Sequence, residues 1–471
     1  MKKKLIDSYT VIADNVPAKV NIYSTPESSV PIYEVTMPEL GDGTSALMNI
    51  LVDELAEKVP LDVEEVTNPQ KLKQLKQKFS LDAGAVVKKH LPDYPKEKVM
   101  ALAGMLLQRM YGLGDVEIIM ADNFLEEIAI NTSREPISVY HKKHGWCKTT
   151  KRLHSEEEIF NFSAQIGRKV GREINTLNPI MDAHLLTGDR VAATIFPIST
   201  RGNTITIRKF ARAPWTVTNF LDPEINTFSK EIAAFLWLAI QYELNVLVAG
   251  GTASGKTSVL NALCSFIPPT QHIISIEDTR EIALPKELYW NWVPLTSRKA
   301  QAESLFEAMH TGHSVYVTMH ADTVEQVKKR LIEPPMEIPK GEVGALHLVL
   351  VQYRDRRKGL RRTLEMAEIL ARGREGLELN YLYRWHPRKD VFEKISNSIR
   401  VFEELNLHTG MTLGEIQEDL KSKQNILQWM VDNKIYDIDQ VGDIMRIYYK
   451  NPDELINAAL KKQKASSLLG G

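Results

Sequence analysis

Eight consecutive residues carry the strongest chemical signal: Gly250-Gly251-Thr252-Ala253-Ser254-Gly255-Lys256-Thr257. The short apolar run Asn245 to Ala249 precedes them, and a helical pattern, Ser258 to Cys264, follows. This is the G-x-x-x-x-G-K-[ST] spacing in the setting it requires, strand before and helix after. Glycines let successive backbone N–H groups face one concavity that cradles phosphate oxygens. The helix N-terminus, which begins with Thr257 and Ser258, adds its positive dipole. Lys256 then reaches the β- and γ-phosphates of ATP, and Thr257 offers a hydroxyl to Mg²⁺. The competing reading is a glycine-rich turn that binds nothing; the flanking strand and helix decide against it.

Two more segments could do chemistry beside bound phosphates. His272 to Ile276 is an apolar strand pattern that ends in Glu277-Asp278-Thr279-Arg280-Glu281. Carboxylates at the C-terminal end of a strand sit where open α/β sheets bind ligands. Glu277 there can polarise a water and Glu281 can support the metal, while a solvated acidic loop is the equal alternative. Thr311-Gly312-His313-Ser314 leads into the apolar run Val315 to Met319 and then His320-Ala321-Asp322, which reads as a helix end, a glycine turn and a buried strand. His313 and His320 can hydrogen-bond a γ-phosphate. By residue type alone a satisfied core histidine is the commoner outcome, and the segment has no recognised zinc-ligand spacing.

These segments need a scaffold. Residues 228–370 alternate helix and strand patterns, which implies a parallel α/β sheet. Before them, from about residue 96 to 213, strands dominate: Ile128 to Asn131 and Ile137 to Tyr140 alternate around turn residues, and Thr200 to Asn203 punctuates a hairpin. Residues 214–227, with Pro214 and Pro223, read as a linker. Residues 1–95 read as an accessory unit, a β-like start followed by amphipathic helices. The helical pattern from Leu81 to Arg109 breaks at Pro92 and Pro95. Residues 371–471 are charged and mostly helical.

Composition excludes several classes. The chain has 471 residues, a net charge of -1 and two cysteines, Cys147 and Cys264, far apart in sequence. A disulfide framework is therefore not expected, and a reducing, cytoplasmic compartment fits. No global basic field exists to hold nucleic acid. The longest apolar stretch, Ala233 to Ile240, falls short of the roughly 20 residues a membrane span needs.

Taken together, the glycine-rich loop, the Ile276-to-Ile282 acidic box and the Thr311-Gly312-His313 with Thr318-to-Ala321 histidine box resemble the type II/type IV secretion ATPase superfamily, whose members drive type II secretion, pilus assembly and archaellum rotation. Val139-Tyr140-His141 with Gly145-Trp146, and the acidic-helical tail, are most similar to its archaeal branch. The resemblance covers about residues 95–370. It implies a RecA-like P-loop ATPase domain with a parallel sheet, preceded by a strand-rich α+β domain and followed by a helical C-terminal region. It further implies a homo-hexameric ring with nucleotide between the two main domains. Arginines of the N-terminal domain, matched here by Arg190 and Arg208 and more loosely by Arg201, approach the phosphates and stabilise the charge of the transferred group. The resemblance makes the chain a cytoplasmic motor, peripheral to the membrane, that rocks against an integral-membrane platform protein and moves pilin-like subunits. A DNA-transfer motor is the neighbouring alternative, to which the near-neutral charge gives no support.

One family element is missing. Between the acidic and histidine boxes the family carries an apolar strand ending in Gly-Glu-x-Arg, the Walker B element. Here Asn291 to Ser297 matches the sequence before it and Arg298 to Phe306 the sequence after it. Removing a central strand leaves its neighbours' ladder groups unpaired, at a cost of several kcal/mol. The sequence thus reads as one from which a segment has been lost, through an engineered deletion or an unrecorded gap, with a natural degenerate member as the alternative. If the loss is real, the chain is expected to bind nucleotide and hydrolyse it poorly.

Overall fold

The computed structural model describes all residues except 1–2, 39, 59–68, 114, 186, 211–213, 278–279, 295–297, 356, 373–375 and 470–471. The chain divides into two compact units, residues 1–212 and 213–471.

In the first unit, β1 (Lys4–Ala13), β2 (Val16–Thr25) and β3 (Ser28–Thr36) form a meander. Asp14 and Asn15, both at positive φ, close its first turn, the backbone that a two-residue hairpin demands. Along β2 the residues Val16, Ala18, Val20 and Ile22 are buried and alternate with more exposed neighbours, the period-2 signature of a half-buried strand. Helices α1 (Asp42–Lys58), α2 (Pro69–His90), α3 (Lys96–Tyr111) and α4 (Asp115–Ala121) follow. α2 stops before Pro92, and Pro95 caps α3. Next come β4 (Leu125–Ile130), β5 (Ser138–His141), β6 (Gly145–Thr149), α5 (Glu156–Lys169), β7 (Ile180–His184), β8 (Arg190–Thr194) and β9 (Thr204–Arg208). All nine strands make one sheet in the order β1-β2-β3-β6-β5-β4-β9-β8-β7. β3 joins β6 in parallel, so strands on both sides of residue 95 share a sheet.

The second unit contains α6 (Val217–Leu221), α7 (Lys230–Gln241), β10 (Val246–Gly250), α8 (Lys256–Cys264), β11 (His272–Glu277), β12 (Tyr289–Pro294), α9 (Arg298–His310), β13 (Tyr316–Met319), α10 (Val324–Ile332), α11 (Lys340–Val343), β14 (Leu348–Asp355), β15 (Leu360–Arg372), β16 (Gly376–His386), β17 (Val391–Lys394), α12 (Arg400–Thr409), α13 (Leu413–Asp432), α14 (Ile438–Lys450) and α15 (Pro452–Leu460). β10 is buried along its whole length and pairs in parallel with β13 on one side and β14 on the other. This is the parallel sheet expected from the alternating pattern. It is extended in antiparallel fashion by β15, β16 and β17. The C-terminal region thus opens with strands to Lys394 and becomes helical from Arg400.

Two expectations need correction. β13 is half-exposed rather than buried, because it is the edge of its sheet. Among the described residues β11 does not join that sheet; it pairs in parallel with β12. Its Ile274 and Ile276 are 58% and 48% exposed. Parallel strands are ordinarily covered on both faces, and this isoleucine pair is left uncovered. The Thr296 and Ser297 side of the junction lies outside the described residues.

Candidate functional site

The phosphate loop grows out of the most buried strand of the unit. β10 ends at Gly250, whose φ is +151. A Cβ there would stand 2.3 Å from the Gln352 carbonyl oxygen of neighbouring β14, so only glycine fits. Ala253, at the exposed apex, and Gly255, at the N-cap of α8, are also left-handed, with φ of +59 and +92. The Ser254 hydroxyl donates to the Gly251 carbonyl at 2.9 Å and fixes the turn. Thr252 is exposed, Thr257 half-buried and Ser258 exposed at the start of α8. Lys256 is buried, and its Nζ folds back to donate to the Gly251 carbonyl at 2.8 Å. Burial lowers its pKa, against the opposing charges of Glu281 and Asp322. A phosphate would give this cation a better acceptor than a loop carbonyl. The left-handed cradle, the helix N-terminus and the Thr257 hydroxyl together fit a Mg²⁺-nucleotide.

Of the other candidate residues, His320 stands beside Lys256. β13 runs parallel to β10 with Met319 opposite Ala249, so His320 emerges at the loop end, with Nδ1 3.4 Å from Lys256 Nζ. Arg330 of α10 donates to the His320 carbonyl. His313 precedes the other end of β13, exposed, with Nδ1 3.2 Å from the Thr311 hydroxyl. Glu277 ends β11. Its Oε2 accepts from the N–H groups of Glu281 at 2.7 Å and Ile282 at 3.0 Å. Its Oε1 is buried with no hydrogen-bond partner among the described residues. Asp278 and Thr279 of the acidic box lie outside the described residues. Arg190 and Arg208 belong to the N-terminal unit, where they are cross-strand partners in β8 and β9. Arg190 also makes a two-pronged pair with Asp182 of β7, at 2.9 and 2.5 Å.

Three residues escaped the reading of the motifs. Asp322 Oδ1 lies 3.2 Å from where a Cβ on Gly251 would stand. It belongs to the histidine segment but has no motif role of its own. Arg361, at the start of β15, donates through Nε to the Ala253 carbonyl at 3.2 Å. Gln352 backs the loop from β14. The last two are about a hundred residues from the loop in sequence, and no spacing announces them.

The family model described as Type II/IV secretion system protein matches residues 176–290. An uncharacterised protein of Methanocaldococcus jannaschii is 32% identical over 383 aligned positions, spanning 74% of this chain and 69% of that one. The type IV secretion system protein PtlH of Bordetella pertussis is 31% identical over 164 residues, 31% of this chain and 48% of its own. This chain belongs to the type II/type IV secretion ATPase superfamily.

Among solved structures, the ATPase DotB of Yersinia pseudotuberculosis aligns over 70% of this chain with a TM-score of 0.39 and 16% identity. The Methanocaldococcus alignment is longer than the part of this chain that it spans. Its 383 positions take in only 74% of 471 residues, so a few dozen aligned positions of the relative have no counterpart here. No helix among the described residues is long and apolar enough to cross a membrane.

Proposed function

We propose that this chain is a motor ATPase of its superfamily: a homo-hexamer that binds Mg²⁺-ATP in the loop Gly250 to Thr257 and moves pilin-like subunits through an integral-membrane platform from the cytoplasmic face. Its working parts are taken as residues 1–95, 96–213, 228–370 and 371–471, with 214–227 as the linker. The observation that carries the reading is Lys256, buried at the N-terminus of α8 in a left-handed cradle, with His320 beside it and the charge of Glu281 near it. Bound Mg²⁺-nucleotide would supply the phosphoryl group and its charge neutralisation; the chain's residues hold and orient it. Lys256 and the loop N–H groups bind the phosphates, Thr257 holds the metal, Glu277 orients water and His320 reads the γ-phosphate. Arg190, Arg208 and His313 are carried over from the family's pattern.

A second reading, a nucleotide-binding scaffold that hydrolyses poorly, is favoured by one observation: β11 and β13 are unjoined sheet edges, with Ile274 and Ile276 exposed. One experiment addresses both readings. Nucleotide affinity and phosphate release are measured for the chain and for Lys256→Ala. Charged hydrogen bonds are worth about 1.5–3 kcal/mol, so the variant is expected to bind ATP at least about tenfold more weakly. Unchanged affinity would sink the phosphate-site assignment. Tight binding with negligible release in the parent chain selects the scaffold.

A further inference from the structure

The segment after Glu277 is held from two sides. On one side Asn261 of α8, the helix that the phosphate loop opens, accepts the Ala283 N–H through Oδ1 at 2.8 Å. On the other side lies α14 of the C-terminal helical region. Asp439 accepts the Lys286 N–H at 3.2 Å and pairs with Lys286 Nζ at 2.6 Å, and Arg446 Nε lies 3.8 Å from Glu287. Between these polar contacts α14 presents Gly442. A Cβ at that position would stand 2.4 Å from Cβ of Pro285 and 3.1 Å from its Cγ.

The magnitudes rank these contacts. The Lys286–Asp439 pair is exposed on its lysine side, at 85%, and such surface pairs contribute little. The Gly442–Pro285 approach is different: two atoms cannot occupy 2.4 Å, so a methyl group must push the strap or the helix aside. The strap has little room to yield, because Asn261 pins it two residues upstream and Glu277 binds the N–H groups of Glu281 and Ile282.

We infer that α14 is a positioning element for the acidic loop, with Gly442 seating Pro285 so that Glu277 and Glu281 are held toward the phosphate loop. The C-terminal helical region is thereby coupled to the metal side of the nucleotide site. The inference deepens the phosphate-site reading above and rests on it. Asn261, on the helix that the phosphate loop opens, holds the Ala283 N–H and so ties the acidic loop to the nucleotide site.

The test separates metal-dependent from metal-independent binding. A fluorescent ATP analogue is titrated into the full chain with Mg²⁺ and with EDTA, for the parent, Gly442→Ala, Gly442→Ala with Pro285→Gly, and Asp439→Ala. Outer-shell changes commonly cost about 10–100-fold in metal affinity. Gly442→Ala is expected to weaken Mg²⁺-dependent binding about tenfold and leave EDTA binding within about twofold, and Pro285→Gly is expected to restore it. Asp439→Ala should shift binding in the same direction by less, and it carries the test if Gly442→Ala does not fold. A folded variant with parental Mg²⁺ dependence overturns the inference while leaving the phosphate site intact. A parent chain that binds no nucleotide in either buffer overturns the phosphate-site reading and this inference with it.

Discussion

Gly250 and Gly251 are adjacent and equally glycine, yet they are constrained for different reasons. At Gly250 a Cβ would meet the Gln352 backbone carbonyl at 2.3 Å, and φ is +151. Backbone of β14 cannot move without breaking the sheet. At Gly251 the nearest atom is an Asp322 side-chain oxygen at 3.2 Å, which can rotate away. Gly250→Ala is therefore expected to lower stability by about 1–3 kcal/mol or more, the scale of such backbone strain, and to abolish nucleotide binding. Gly251→Ala should fold normally and keep measurable affinity. Thermal unfolding and nucleotide titration on the pair check this; equal melting temperatures would show that the loop tolerates what its geometry forbids.

At the scale of elements, one carboxylate joins three segments of the first unit. Glu156 opens α5 and reaches the Ser133 N–H at 2.8 Å and hydroxyl at 2.7 Å, the Thr132 hydroxyl at 2.9 Å, and the Asn203 N–H at 2.5 Å. It thus ties the turn between β4 and β5 and the approach to β9 to one helix end. Burial alone would raise its pKa, but these donors outweigh it and hold it at about 2, below the usual 4.5. A depressed carboxyl pKa gives stability that is complete above the unfolded value and is lost as pH falls through the folded one. Discounted for solvent screening, that is about 1 kcal/mol. Glu156→Gln is expected to lower hydrogen-exchange protection of residues 125–149 at pH 7, with the difference shrinking below about pH 4.5 and closing near pH 2. A difference that stays constant with pH would mean the contacts act through shape and not charge.

At the scale of the molecule, the two open strand edges of the second unit set the expected behaviour. Among the described residues β13 and β11 each lack a partner on one side. A chain in which an apolar strand ending in Gly-Glu-x-Arg is inserted between Ser297 and Arg298 is expected to release phosphate faster by about 10²–10⁴-fold, the usual contribution of a placed general base. Light scattering with a nucleotide analogue should report a hexamer for it. Equal turnover with and without the segment would show that an acidic residue already present, Glu277 or Glu281, orients the water unaided.

The sequence alone determined the local chemistry. The phosphate loop, the acidic strand end, the histidine segment and the Pro92–Pro95 break are legible because each is written in contiguous residues whose backbone demands are local. It also reads as lacking a strand between Ser297 and Arg298, since the residues on either side of that junction resemble those that flank the strand in the family. What it could not settle was pairing. Leu360 to Arg372 is rich in leucine, arginine, glutamate, methionine and alanine, a composition suited to helix, yet it is β15, because it pairs with β14 and β16 along its two edges while Met366 packs into one apolar cluster and Ala367 and Ile369 into another. Arg361 reaches Ala253 and Gly442 meets Pro285 only once the sheet and the C-terminal helices have closed on the loop. Contacts between residues a hundred or more positions apart leave no spacing to read; the tertiary structure decides them, because burial rewards whichever distant surfaces fit.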